Sequence, residues 1–175
     1  LQWNYSGVIN GRIIQSSTGY WISGNGSGCP RCSSRIGDGN QNVQTDEEMI
    51  ETRNFKHREL SCNCCGGNQM NVAFLEKLQL IRDDYQQPMV ISSAYRCPRY
   101  NDEISSTGPT GPHTTGRAVD ILIYGQEAYE LMKLCLKYGM TGLGFKMKGP
   151  RSTRFLHCDD LNNTSKSPRP WIWSY

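Results

Sequence analysis

The run Ala118-Val-Asp120-Ile-Leu-Ile123 constrains this chain more than any other segment. Its alternation and apolar content read as a buried strand. Yet Asp120 sits in the middle, between Val119 and Ile121. A carboxylate inside an apolar strand is costly unless it is paired or bound to a metal. The fold must therefore bring a partner to Asp120.

Histidines are the natural candidates, and there are only three: His57, His113 and His157. His113 lies in a loop of Gly, Pro and Thr shortly before Asp120, and His157 ends the short apolar run that begins at Arg154. Two imidazoles and one carboxylate suit zinc, with a fourth position open to water. The plainer alternative is that Asp120 caps a loop and the histidines are satisfied core residues. Spacing alone does not choose between them.

The rest of the chain reads as α+β. Phe74, Leu78, Ile81 and Tyr85 recur on one helical face, which predicts a helix over 70–85 with Pro88 beyond its end. Ala128, Leu131, Met132 and Cys135 mark a second helix over 126–138, capped by Gly139. Residues 89–93, 118–123, 142–145 and 154–157 read as strands, 98–116 as a loop, and 46–60 as a short polar helix or connector. The C-terminal aromatics, Trp171 and Trp173 among them, are expected to pack into the core. Residues 1–50 form a Gly/Ser/Asn-rich extension with one or two β-hairpins, Asn10-Gly11 being the best turn. Residues 51–175 form the main domain. Short links between several strands favour a small antiparallel sheet backed by helices over a parallel one.

Composition bounds the function. A net charge of +3, from 19 basic and 16 acidic residues, is not the clustered basic surface of a nucleic-acid binder. No apolar run is long enough for a membrane span. Eight cysteines are many for a reducing compartment and read as up to four disulfides. The competing reading is a zinc knot built from Cys29-Pro-Arg-Cys32 with Cys62, Cys64 and Cys65. Sequons at Asn4, Asn25, Asn162 and Asn163, and a start at Leu1 rather than Met, fit a processed, secreted glycoprotein.

Four motifs carry a family resemblance. They are Ser93-Ala-Tyr-Arg96-Cys-Pro-Arg-Tyr-Asn101, His113-Thr-Thr-Gly116-Arg-Ala118-Val-Asp120, Gly142-Leu-Gly144-Phe145, and Arg154-Phe-Leu-His157-Cys-Asp159. Together, and in this order, they resemble the zinc D-Ala-D-Ala carboxypeptidases, in particular the bacterial and phage cell-wall peptidases. The Hedgehog signalling domain is a distant relative by fold. The resemblance covers about 55–175. It implies a Hedgehog/DD-peptidase-like fold with zinc held by His113, Asp120 and His157 in an open groove. It implies that Arg96, with Ser93 nearby, grips a substrate carboxylate or carbonyl, a task suited to the guanidinium fork. Asn101 would tether its loop, and Gly116 would let the loop turn between the first two ligands.

The sequence departs from the family in one respect. Active relatives often carry an acid shortly before the last histidine, and here Arg151, Ser152, Thr153 and Arg154 occupy that stretch. Asp159, which shares a strand face with His157, is left as the general base, a support for a ligand histidine, or a sheet-edge acid. Glu103 is a remoter candidate. Two functions follow. One is a zinc metallopeptidase, a carboxypeptidase or endopeptidase, acting on peptidoglycan peptides at D-Ala-D-Ala or stem-peptide bonds. The other is a catalytically silent zinc-containing domain that binds a glycan, peptide or protein, secreted or part of a virion.

Overall fold

The structure, a computed structural model, describes residues 50–175 and the two short strands β1 (Val8–Ile9) and β2 (Arg12–Ile13). β1 and β2 pair antiparallel, with Val8 opposite Ile13 and Ile9 opposite Arg12; the expected turn at Asn10-Gly11 lies outside the described residues. Trp3, Trp21, the sequons at Asn4 and Asn25, and Cys29-Pro-Arg-Cys32 lie outside the described residues.

The main body runs α1 (His57–Leu60), α2 (Val72–Tyr85), β3 (Val90–Ser93), α3 (Pro98–Ile104), β4 (Ala118–Leu122), α4 (Gly125–Lys137), β5 (Gly142–Lys146), β6 (Phe155–Asp159) and β7 (Trp171–Ser174). This is α+β. α2 begins where the Asn71 side chain accepts the Phe74 N–H at 3.1 Å. α4 ends in a Schellman turn: Met140 N–H bonds the Cys135 carbonyl and Gly139 N–H that of Leu136. Phe74, Leu75, Leu78 and Ile81 of α2 join Ala128, Leu131 and Cys135 of α4 in one buried core. The sheet supplies Val119, Ile121, Leu143, Leu156 and Cys158 to the same core.

The five strands run in the order β3-β4-β6-β5-β7. The first four pair antiparallel, as expected, but β7 pairs parallel to β5, so the sheet is mixed. β6 already has a neighbour on each side. The chain leaving it returns antiparallel to it, one place farther out, and therefore lies parallel to β5.

Two further expectations are corrected. Pro98–Ile104 is a helix, not loop, because proline is well placed in a first turn and the Gly/Pro punctuation begins only at Gly108. The C-terminal aromatics do not fill the core: Trp171 is 55% exposed and Trp173 is half-buried. They lie on an edge strand, where the cover given by the helices ends.

The disulfide expectation also fails among the described residues, where no bond joins Cys62, Cys64, Cys65, Cys97, Cys135 or Cys158. Cys135 and Cys158 are buried core thiols. The sulfurs of Cys62, Cys65 and Cys97 gather as a trio, which cannot pair off evenly.

Candidate metal centre

The register of the sheet assembles the site. Ser93 of β3 stands opposite Asp120 of β4, Asp120 opposite His157 of β6, His157 opposite Gly144 of β5, and Gly144 opposite Trp173 of β7. One rung thus crosses all five strands. Side chains alternate across a strand, so Val119 and Ile121 enter the core while Asp120 takes the other face. His157 and Asp159 share that face with it.

His113 arrives from the loop before β4. Its turn ends at Gly116, whose φ is +69°. A Cβ there would stand 2.0 Å from the Gln69 carbonyl oxygen, so only glycine fits. The His113 ring is fixed from behind, its Nδ1 2.7 Å from the Ala94 carbonyl. That bond takes the Nδ1 proton and leaves the lone pair on Nε2. His157 is fixed in the mirror sense: Nε2 lies 3.1 Å from Asp159 Oδ2, and Nδ1 faces Asp120.

Three donor atoms therefore converge. Asp120 Oδ1 is 3.2 Å from His113 Nε2 and 2.8 Å from His157 Nδ1, and the two nitrogens are 3.2 Å apart. Donors placed about 2.0–2.1 Å from a tetrahedral zinc lie about 3.3–3.4 Å from one another. The triangle is close to that size, its donors are the types zinc takes, and both rings have the outer hydrogen bond typical of metal-binding histidines. These three residues could hold zinc. Burial raises the Asp120 carboxyl pKa, but the His113 and His157 rings beside it outweigh this and hold it well below the ordinary carboxylate range. Burial lowers the pKa of His113. At His157 the same burial is outweighed by Asp120 and Asp159, and its pKa is raised.

Arg96 reaches the same carboxylate from the other side. Its guanidinium donates to Asp120 Oδ2 at 2.6 Å and through Nε to Ser93 Oγ at 2.7 Å. Buried Asn101 donates to Thr107 Oγ1 at 3.0 Å and to the Gly108 carbonyl, so it tethers the loop as expected.

Asp159 lies behind His157, not in front of the donor triangle. It is fully buried and receives both Nε and an Nη of Arg169 at 2.7 Å. Burial raises its pKa, but His157 and Arg169 outweigh that and hold it at about 2. Gly142 leaves room for this pair, since a Cβ there would stand 2.2 Å from Asp159 Oδ2. Glu103 is on the surface, paired with Arg99. His57 sits on α1 against Asn68, apart from the triangle.

The triangle opens into a groove of about 690 Å³. Arg96, Lys146, Lys166 and Arg169 give it a basic lining, and Trp173 and Tyr175 form a wall. Among the described residues lining it, Asp120 is the only acid. The Arg154 side chain does not reach it: Nε donates to the Gly149 carbonyl at 2.9 Å, and the guanidinium lies 6.0 Å from the Tyr124 ring. Sequence reasoning missed Arg169 and assigned Trp173 to the core, whereas it lines the groove. No local pattern marks them, because their roles depend on the return of β7 to the sheet.

The family model described as Peptidase M15 matches residues 50–159. The match contains all three donors of the triangle, Arg96 and Asp159, and stops before β7. No curated protein and no solved structure matches the chain.

Proposed function

The chain belongs to the Peptidase M15 family, and from that premise we propose that it is a zinc-dependent metallopeptidase with His113, Asp120 and His157 as ligands, acting on the stem peptides of peptidoglycan at D-Ala-D-Ala or crosslink bonds. The observation that carries the metal assignment is the donor triangle, with each imidazole held at its outer nitrogen. Zinc bound there supplies Lewis acidity, polarising a carbonyl and making water a nucleophile near neutral pH.

The chain's own residues do the rest. Arg96 and Ser93 orient the substrate beside the triangle, and the guanidinium suits a terminal carboxylate or peptide carbonyl. Lys146 and Lys166 favour an anionic peptide. Trp173 and Tyr175 supply flat apolar surface along the groove. Asp159 acts as a positioning residue: it holds the outer nitrogen of His157 and is itself locked by Arg169.

A second reading rests on the lining of the groove. Hydrolysis needs an acceptor for the water's proton within hydrogen-bond reach. Asp120 is the only described acid lining the groove, and this reading makes it a ligand. That favours a catalytically silent zinc domain that binds an anionic peptide or glycan.

One experiment separates the two. Zinc is quantified, and purified peptidoglycan is digested with and without chelator, with released peptides identified by mass. Peptidase function predicts chelator-sensitive release of defined stem peptides. Zinc bound at the triangle without cleavage supports the binding domain. A His113→Ala variant that keeps all the zinc of the wild type overturns the ligand assignment.

A further inference from the structure

A second cluster of metal-binding atoms lies away from the groove triangle. Cys62-Asn-Cys64-Cys65-Gly66-Gly67 forms a tight turn between α1 and α2. The Cys62 carbonyl accepts the Gly66 N–H at 2.8 Å, and the Gly67 carbonyl accepts the Cys62 N–H at 2.8 Å. Gly66 takes the positive φ of +72° that the turn requires. The turn wraps one sulfur: Cys62 Sγ accepts the backbone N–H of Cys97 at 3.3 Å, and the N–H groups of Cys64 and Cys65 also point to it.

Cys65 and Cys97 bring their own sulfurs to the same place. The three Sγ atoms lie within 4.8 Å of one another, with Cys62 and Cys97 almost wholly buried. Three sulfurs cannot be satisfied by one disulfide. A pair of cysteines with two residues between them, followed by glycine, with backbone N–H groups turned onto the first sulfur, presents two thiolates to one ion. The third comes from a distant part of the chain.

We propose that Cys62, Cys65 and Cys97 hold a second metal ion, a soft divalent cation for which zinc is the natural occupant, and that this ion fastens the segment carrying Arg96. Thiolate donors select zinc and other soft metals over magnesium or calcium. The assignment is independent of the groove triangle and of any peptidase activity.

The charge pattern agrees with the geometry. Burial raises the Cys62 pKa, but its three N–H donors outweigh this and leave the thiol below its ordinary value. Cys65 is half-buried, and its partial desolvation beside that sulfur pushes its thiol up to about 12. Such a trio cannot hold three negative charges by itself, and a cation removes the conflict by binding all three as thiolates.

The position gives the ion a purpose. Cys97 directly follows Arg96 and precedes the first turn of α3. Tyr95 N–H bonds the Leu60 carbonyl at 3.2 Å, and Arg96 N–H bonds the His113 carbonyl at 3.3 Å. A metal joining Cys97 to the 62–65 turn fixes the residue next to Arg96.

The test uses the full chain purified under reducing conditions. Metal analysis should find two zinc ions per chain. Cobalt substitution should give a sulfur-to-metal charge-transfer band in the near ultraviolet. Alkylation mapped by mass spectrometry should find Cys62, Cys65 and Cys97 protected until chelator is added. A Cys65→Ser variant should lose one metal and most of the band. A variant with both His113→Ala and His157→Ala should lose the other metal and keep the band, so failure at one site cannot be mistaken for failure at the other. The proposal is overturned if cobalt-loaded wild type shows no such band, if these three thiols alkylate freely without chelator, or if the freshly isolated chain carries a disulfide between any two of them. The wild-type measurements decide the matter even if Cys65→Ser does not fold.

Discussion

His157 is held at both ring nitrogens, and the two contacts serve different ends. Nδ1 faces Asp120 and His113, while Nε2 is anchored by Asp159. Removing a carboxylate behind a metal-binding histidine typically costs about 10–100-fold in metal affinity or activity. Asp159→Asn should therefore weaken zinc binding by about that factor, as read by competition with a chromophoric chelator. If Asp159 were the general base, zinc affinity would hold and only turnover would fall. Arg169→Ala strips the buried Asp159 of its ion pair, a change worth about 3–5 kcal/mol of stability in buried pairs, measurable by urea unfolding. Arg96→Ala should lower kcat/KM while zinc content stays at the wild-type level; loss of metal would make Arg96 a structural residue. Asp120 was legible in the sequence because a lone acid in an apolar strand demands a partner, whereas His113 and His157 as its fellow donors were what the family resemblance implied. The role of Asp159 was only half legible: alternation puts it on the His157 face, but only the register and Arg169 show that it stands behind the ring.

Register decides how the strands become a site. A slip of one residue would turn Asp120 and His157 into the core and Val119 and Cys158 out of it. The glycines of Gly142-Leu-Gly144 keep the site face of β5 open. A Cβ on Gly144 would stand 2.5 Å from the Trp173 ring. Gly144→Val should push Trp173 out of the groove wall, at about 1–3 kcal/mol of overpacking cost. The expected signs are altered tryptophan fluorescence and a lower unfolding midpoint, with zinc retained. Helices α2 and α4 and strands β3 to β6 were readable because their patterns are local and regular. α3 was not, since Pro98 reads equally as a loop residue or as a first-turn helix residue. Neither was β7, whose existence and direction depend on which edge of the sheet remains vacant after β6.

Across the molecule, His157 comes from a part of the chain far from His113 and Asp120, and α2 and α4 pack against the sheet face opposite the site. A ligand that binds only the folded chain stabilises it, by about 2.7 kcal/mol when its free concentration is 100 times Kd. Chelation should therefore lower Tm in a thermal scan, and zinc should restore it. No helix among the described residues is long and apolar enough to cross a membrane. The cysteines were the least legible feature at this scale, because count and spacing do not distinguish a disulfide framework from a metal knot or core thiols. Of the described six, Cys135 and Cys158 are core thiols, Cys62, Cys65 and Cys97 form the sulfur trio, and Cys64 is half-buried outside both groups. One carboxylate also links the two halves of the groove. Asp120 offers Oδ1 to the imidazoles and Oδ2 to Arg96. An anionic ligand that draws the guanidinium toward itself frees negative charge on Asp120 for the metal. Thermodynamic reciprocity then requires zinc to raise that ligand's affinity by the same factor as the ligand raises zinc's.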